Sequence, residues 1–332
     1  MRSVLVTDYA WPDLDVEREI LGQAGCEVVA ASTGGEEELV SLAASADAIL
    51  TNWKPVTARV LDHAARCLTV VRYGVGLDNI DVEAATRLGI VVSNVPDYCV
   101  EEVSDHTMAL LLALSRRVVA FADQTRTGGW DNQGFGAMHR LRGRTIGLVG
   151  FGRIARRVAE KSRAFGLEVA AWSPTLASSA PEGVTVAQSL ADLLPRADIV
   201  SLHAPLTPDN YHLLDRRHLR LMRPGAFLIN TARGALVDQR ALLEALADGR
   251  LGGAGIDVLD EEPPPADHPL RLAPGVVLTP HAAFYSAESV RELQEKAAAN
   301  VVAALTGRAP ATTVNPEVLD SPRRRSPGPE RK

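Results

Sequence analysis

Cysteine is scarce in this chain of 332 residues, aromatic side chains make up only 5% of it, and it has neither a basic excess nor a long apolar run. Each shortage excludes something. Three cysteines, Cys26, Cys67 and Cys99, are too few and too scattered for a disulfide framework, and none forms a CxxC pair. A reduced, cytoplasmic setting is therefore expected. A formal charge of −6 gives no general electrostatic reason to bind nucleic acid or an anionic membrane. The most apolar helix-like run, residues 108–114, is flanked by Asp105, His106, Arg116 and Arg117 and falls far short of the roughly 18 apolar residues that span a bilayer. No membrane partner is expected. At the N-terminus, Val4-Leu5-Val6 is cut short by Asp8 and reads as a first strand, not a secretion signal.

With 46% apolar and 23% charged residues, the chain can bury a sizeable core, and at about 100–200 residues per domain its length suggests about two domains. Short β-branched runs (Val4-Leu5-Val6, Val28-Val29, Ala48-Ile49-Leu50, Val70-Val71, Ile90-Val91-Val92) alternate with helical stretches such as residues 16–23 and 57–65. That alternation belongs to βα units and a doubly wound parallel sheet, so the fold class is α/β. A single long helix is expected over residues 101–127, stopped by Gly128-Gly129. A second series follows, with strands at 146–149, near Trp172, and at 199–202, 226–229, 254–258 and 276–278. A last helix, about Ala287 to Leu305, comes after that series. The expected plan is thus discontinuous, with residues 1–100 and 286–316 in one domain and 101–285 in another. The tail, residues 317–332, is expected to be disordered, since Ser321-Pro322-Arg323-Arg324-Arg325-Ser326-Pro327-Gly328-Pro329 has no apolar residue to bury.

The second series opens on Gly147-Leu148-Val149-Gly150-Phe151-Gly152-Arg153-Ile154-Ala155, a strand, a glycine turn and a helix start whose core fits G-x-G-x-x-A. Gly150 and Gly152 let the backbone turn tightly and approach a pyrophosphate over the positive end of the helix, and the small Ala155 lets helix and strand pack closely. The plain alternative is an ordinary tight turn. An acidic residue is expected about 20 residues on, to bind the ribose hydroxyls of NAD. Here the second strand ends in Ser173-Pro174 instead. Losing the acid removes a repulsion against the extra phosphate of NADP, yet no arginine or lysine lies between Ser173 and Ser189 to bind it. NAD is favoured, with NADP left open.

Three later segments each set an ionisable residue just after a strand candidate, where open parallel sheets bind ligands: Asn230-Thr231-Ala232-Arg233-Gly234, Asp257-Val258-Leu259-Asp260-Glu261-Glu262-Pro263 and Thr279-Pro280-His281-Ala282-Ala283. Taken singly, each has a bland reading: Arg233 as a helix cap, Glu262 as one of a solvated acidic run, His281 as a satisfied turn residue. In this order, behind a glycine fingerprint, they are hard to read as scaffold.

With these motifs the sequence resembles the D-isomer-specific 2-hydroxyacid dehydrogenase family, over about residues 1–316. Within that family it looks closest to the C-terminal binding protein branch, through Val71-Arg72-Tyr73-Gly74-Val75-Gly76-Leu77-Asp78-Asn79-Ile80-Asp81, Asn94-Val95-Pro96 and Thr279-Pro280-His281-Ala282-Ala283-Phe284-Tyr285-Ser286. The resemblance implies a flavodoxin-like substrate domain joined to a dinucleotide-binding Rossmann domain, with the active site in the cleft. It implies hydride transfer between NAD(P) and a small 2-hydroxy or 2-oxo acid. Arg233 would grip the substrate, His281 would move the proton and Glu262 would fix the tautomer of His281. The backbone of Val75 and Gly76 would hold the carboxylate, with Arg72 a further substrate contact. The nucleotide would lie along Gly150, Phe151, Gly152, Arg153, Ile154, Ser173, Pro205, Thr207, Thr231, Ala232, Arg233, Asp257 and His281. For Asp257 the plain alternative is a strand-end cap. The resemblance also implies a homodimer, with the long helix and residues 130–142 crossing between subunits. Glu262 argues against the formate dehydrogenase branch, which carries glutamine there. The competing class is a dinucleotide-sensing, corepressor-like scaffold; the sequence displays neither a peptide groove nor a partner motif for it. Phe284 stands where the C-terminal binding protein branch has tryptophan, so the substrate preference of that branch does not carry over.

Overall fold

Among the described residues all ladders between strands are parallel, which follows from a sequence in which helical stretches separate nearly every pair of apolar runs. The computed structural model describes residues 1–176 and 181–326. They divide into two units, Met1–Tyr98 with the segment beginning at Ser286, and Cys99–Tyr285.

The first unit has five strands: β1 (Arg2–Val6), β2 (Cys26–Ala30), β3 (Ala48–Thr51), β4 (Thr69–Arg72) and β5 (Val91–Ser93). Their order, β2-β1-β3-β4-β5, is that of flavodoxin-like sheets. Strands β3, β4 and β5 are buried along their whole length, as expected of a parallel sheet covered on both faces. Leu5, Ile49, Val70 and Val92 form the centre of the core. The helix Ala287–Leu305 packs on the helix Asp15–Gln23 and on β4. Ser286 starts it, in reciprocal side-chain bonds with Ser289.

The second unit has seven strands: β6 (Thr145–Val149), β7 (Glu168–Trp172), β8 (Val184–Val186), β9 (Ile199–Leu202), β10 (Ala226–Asn230), β11 (Leu251–Ile256) and β12 (Val276–Leu278). They run β8-β7-β6-β9-β10-β11-β12, so the direction of winding reverses between β6 and β9. Ligands of open α/β sheets bind outside the carboxyl ends of the strands at such a reversal. The edge strand β8 is absent from the sequence-based expectation, because Val184-Thr185-Val186, unlike Val276-Val277-Leu278 at the other edge, is not a continuous apolar run. Glycines bring one helix unusually near the sheet. A Cβ on Gly255 would lie 2.9 Å from Leu110 Cβ, and one on Gly253 would lie 3.1 Å from Leu114 Cδ2, both on the helix Val100–Ser115.

Two expectations are corrected. The single helix over 101–127 is two helices, Val100–Ser115 and Val118–Arg126, because Arg117 takes the left-handed conformation, φ 49°, which ends one helix and re-aims the next. The tail expected to be disordered differs over residues 317–326. Val318 is buried, the Arg325 N–H donates to Gly89 O at 3.0 Å, and its guanidinium donates to Ala64 O and Cys67 O beyond the end of the helix Ala58–His63. Composition looks only for apolar burial, whereas this segment is held by arginine satisfying carbonyls that a helix end leaves open. The rest of the expected tail, 327–332, lies outside the described residues.

Gly89 is a direct test of that docking. Its φ is +72°, and an added Cβ would meet Arg323 O at 1.9 Å. Gly89→Ala should cost about 1–2 kcal/mol from the backbone alone, seen as a lower melting temperature, and should speed tryptic cleavage at Arg323 to Arg325.

Candidate active site

In the second unit every candidate residue follows the carboxyl end of a strand: Gly150 after β6, Ser173 after β7, Pro205 and Thr207 after β9, Thr231 to Arg233 after β10, Asp257 and Glu262 after β11, His281 after β12. Parallel pairing puts these ends along one edge of the sheet. At the reversal, the Gly150 N–H donates to Trp172 O and the His203 N–H to Val149 O. Gly150 has φ +88°, and a Cβ there would lie 2.7 Å from both Ala204 N and His203 C. Only glycine fits. A Cβ on Gly152 would meet nothing within 4 Å. The helix Arg153–Ala164 begins at Gly152 without a side-chain cap, so its first N–H groups and positive end remain for an anion. A pyrophosphate suits this cradle.

Other fingerprint residues divide between ligand side and core. Ala155 is fully buried, and Phe151 packs its ring inward beneath the Arg156 guanidinium, 4.9 Å from its centroid, so only its backbone can serve a nucleotide. Ser173 Oγ lies 3.2 Å from Thr175 Oγ1. Thr207 starts the short turn Pro208–Asn210 in a reciprocal pair with Asn210, whose amide also donates to Pro205 O. Burial pushes the His203 imidazole down to about 4, and its Nε2 lies 2.9 Å from Ser201 Oγ.

The three catalytic candidates sit on loops that hold one another. His281 Nδ1 lies 2.6 Å from Glu262 Oε2, and the Leu259 N–H donates to Glu262 Oε1 at 2.7 Å. Burial alone would raise the Glu262 carboxyl, but the bond and charge of His281, the Leu259 N–H and the charge of Arg233 outweigh it and hold Glu262 below its ordinary range. It is therefore a carboxylate accepting from Nδ1, which leaves Nε2 as the nitrogen for a substrate. The Arg233 loop is shaped by buried Asn230, which accepts from the Ala232 N–H and donates to Arg233 O. Gly234 makes the loops meet: a Cβ on it would lie 2.0 Å from Leu259 C.

Asp257 supports the His281 turn. Its side chain has no exposed surface. Oδ1 accepts from Thr279 Oγ1 at 2.6 Å and from the Ala282 N–H, Oδ2 accepts from the Ala283 N–H, and its main-chain oxygen accepts from the His281 N–H at 2.8 Å. His281 itself has φ +52°, a conformation that costs a non-glycine residue roughly 1 kcal/mol or more and persists only when neighbours impose it. One participant escaped the sequence reading. His106, inside the helix Val100–Ser115, puts Nε2 2.9 Å from Thr279 Oγ1. A histidine within a helix carries no motif, and its partner is 173 positions away.

The remaining candidates lie in the first unit. Arg72, at the end of β4, is buried, with Nε donating to Asn79 Oδ1 and Nη1 to Asn52 Oδ1 and Tyr73 O. Gly74 has φ +140° and would bring a Cβ 3.1 Å from Arg72 Nη1. After it, Asn94 donates to Val75 O, while the Val75 and Gly76 N–H groups form no hydrogen bond among the described residues. Two adjacent donors of this kind suit a carboxylate.

The chain is similar to known proteins along most of its length. Residues 108–283 match the family model described as D-isomer specific 2-hydroxyacid dehydrogenase, NAD binding domain. The chain is 41% identical over 291 residues to a glyoxylate reductase of Aeropyrum pernix, covering 85% of this chain and 87% of that protein. It is 37% identical over 306 residues to a D-3-phosphoglycerate dehydrogenase of Methanocaldococcus jannaschii, but spans only 56% of that protein's length. An NADPH-dependent glyoxylate/hydroxypyruvate reductase from Sinorhizobium meliloti, solved with NADP and malonate, superposes with a TM-score of 0.85 at 29% identity, over 94% of this chain and 96% of that one.

Two measurements probe the site before any substrate is known. Gly150→Ala should weaken dinucleotide binding by about tenfold or more, through displacement of the 203–204 backbone from the pyrophosphate turn, read by NADH fluorescence titration. The folded pKa of His203 is depressed, so its contribution to stability is fully present above about 6.5 and is lost as pH falls through about 4. His203→Gln should flatten the fall in melting temperature over that window.

Proposed function

The chain belongs to the D-isomer-specific 2-hydroxyacid dehydrogenase family, and on that footing we propose that it interconverts a small 2-oxo acid and the corresponding 2-hydroxy acid with a nicotinamide dinucleotide. The observation that carries this reading is the 2.6 Å contact between His281 Nδ1 and the Glu262 carboxylate, within the field of Arg233. Bound NAD(P)H supplies the hydride to the carbonyl carbon. The protein supplies orientation and a proton. Arg233, a planar and permanently charged donor, grips the carboxylate and carbonyl oxygen of the substrate. As the carbonyl carbon is reduced, the proton on His281 Nε2 passes to the carbonyl oxygen, and solvent returns a proton to the imidazole. Glu262 keeps Nδ1–H in place and balances the charge of the protonated ring. In the reverse direction Nε2 takes the hydroxyl proton.

The Val75 and Gly76 N–H groups are assigned to the substrate carboxylate, with Arg72 as a further substrate contact. Phe151, Arg153 and Ile154 supply main-chain groups to the pyrophosphate and Ser173 lies at the ribose. Pro205, Thr207, Thr231 and Ala232 line the cofactor; Asp257, whose side chain shows no surface and spends both oxygens on the turn carrying His281, acts by holding that turn and not as the dinucleotide contact expected of it. Glyoxylate and hydroxypyruvate are the first substrates to test, since relatives carry those names. Ser173 in place of an acid leaves NADP open, and we retain NAD as the favoured cofactor because no basic residue lies between Ser173 and Ser189. The corepressor-like scaffold gains no support: the relatives named above are reductases and a dehydrogenase.

A homodimer is part of the proposal. Val118, Val119, Trp130 and Met138 are exposed large apolar residues on the segment assigned to the subunit contact, and light scattering should give twice the chain mass. A cytoplasmic setting goes with three cysteines that form no disulfide among the described residues, where no helix is long and apolar enough to cross a membrane.

The test is turnover of NADH or NADPH with a panel of 2-oxo acids. His281→Ala should lower kcat by about a hundredfold or more, the usual worth of a general acid. Arg233→Lys should cost far more activity than cofactor affinity. No turnover above the His281→Ala background on any acid of the panel would defeat the reading, and a clear NADPH preference in fluorescence titration would reverse the cofactor assignment.

A further inference from the structure

The helix Val100–Ser115 does more than cover the sheet. Held close by Gly253 and Gly255, it sets two consecutive residues against two different loops of the site. Thr107 Oγ1 donates to Val103 O at 2.8 Å and lies 3.1 Å from Thr231 Oγ1. With its one proton spent on Val103, Thr107 accepts from Thr231, beside Arg233. His106 Nε2 lies 2.9 Å from Thr279 Oγ1 and 3.5 Å from Asp257 Oδ1. The same proton count applies there. The Thr279 hydroxyl gives its proton to the Asp257 carboxylate at 2.6 Å, so toward His106 it accepts, and His106 must present Nε2–H. The chain of bonds therefore runs one way, from His106 through Thr279 to Asp257, whose remaining acceptors hold the N–H groups of His281, Ala282 and Ala283.

We propose that His106 is a positioning residue for His281: by donating Nε2–H to Thr279 it orients the hydroxyl onto Asp257, and Asp257 clamps the left-handed turn that sets the His281 ring against Glu262. The proposal deepens the dehydrogenase reading and rests on it for its effect on catalysis, but the geometric effect on His281 does not need turnover to be seen. The clamp matters because His281 at φ +52° would relax if it loosened. A loosened turn moves the imidazole and not the Arg233 loop. The expected loss falls on the chemical step, with the binding of substrate and cofactor kept.

The experiment compares His106→Phe, which keeps a ring and deletes the donor, with His106→Gln, whose amide can place an N–H near the same point. Thr279→Val, which removes the middle hydroxyl, is the second disruption. His106→Phe and Thr279→Val should each lower kcat by about tenfold to a hundredfold, the scale of a misplaced catalytic group, with KM and NADH affinity within about twofold. His106→Gln should recover most of the loss. In parallel, 15N-histidine spectra, with the His281 signals identified by their absence in His281→Gln, should show the His281 ring nitrogens displaced in the Phe and Val variants and native in the Gln variant. A Phe variant with native kcat, a Gln variant as impaired as the Phe variant, or unmoved His281 signals in both disrupted variants would overturn the proposal. If the wild-type protein turns over no 2-oxo acid, the dehydrogenase reading falls and the spectra alone decide the role of His106.

Discussion

One buried carboxylate organises the chemistry of the second unit. Asp257 follows β11, shows no surface, and spends both side-chain oxygens on the turn that carries His281. Without water to compensate it, a carboxylate must be met by donors, and here the donors are the very groups whose positions define the turn. The energetic need of one ion to be satisfied thus becomes the geometric constraint on another residue. Glu262 is handled differently. It stays partly accessible, accepts from His281 and Leu259, and is kept charged by those bonds and by Arg233 in spite of burial. One carboxylate shapes the loop and the other serves its imidazole.

Close approach of main chain is the second recurring device. Gly150 lets β6 turn against the 203–204 backbone, Gly234 lets the Arg233 loop touch the loop of Glu262, and Gly253 and Gly255 let a helix settle on β11. At Gly150 and Gly234 a Cβ would collide with main chain, and at Gly255 with the Cβ of Leu110, none of which can swing away. Separate loops are thereby brought within hydrogen-bond range of one another, which is what lets side chains from β10, β11 and β12 act together.

Much of this was legible from residue order. The alternation of apolar runs predicts a parallel α/β fold, and the motifs around Gly150, Arg233, Glu262 and His281 announce strand-end loops because each follows a β-branched run. The expected last helix coincides with Ala287–Leu305, where Ser286 and Ser289 form its start. The failures share a cause. A break at Arg117 inside an otherwise helical pattern, a three-residue edge strand at Val184–Val186, and a tail held by Arg325 on Ala64, Cys67 and Gly89 all depend on neighbours that no local period encodes.

By itself, then, the sequence determined the class of fold, the glycine turn for a dinucleotide, the three ionisable strand-end loops and the family to which they belong. These are local properties, written in periods and short spacings. Tertiary structure alone decided which atoms each residue meets. It gave the plain reading of Asp257 a part in holding the His281 turn, and it placed His106 of a packing helix against Thr279, 173 positions away. A hydrogen bond needs two atoms within about 3 Å, and that proximity exists only once the sheet, its glycines and the helix have packed.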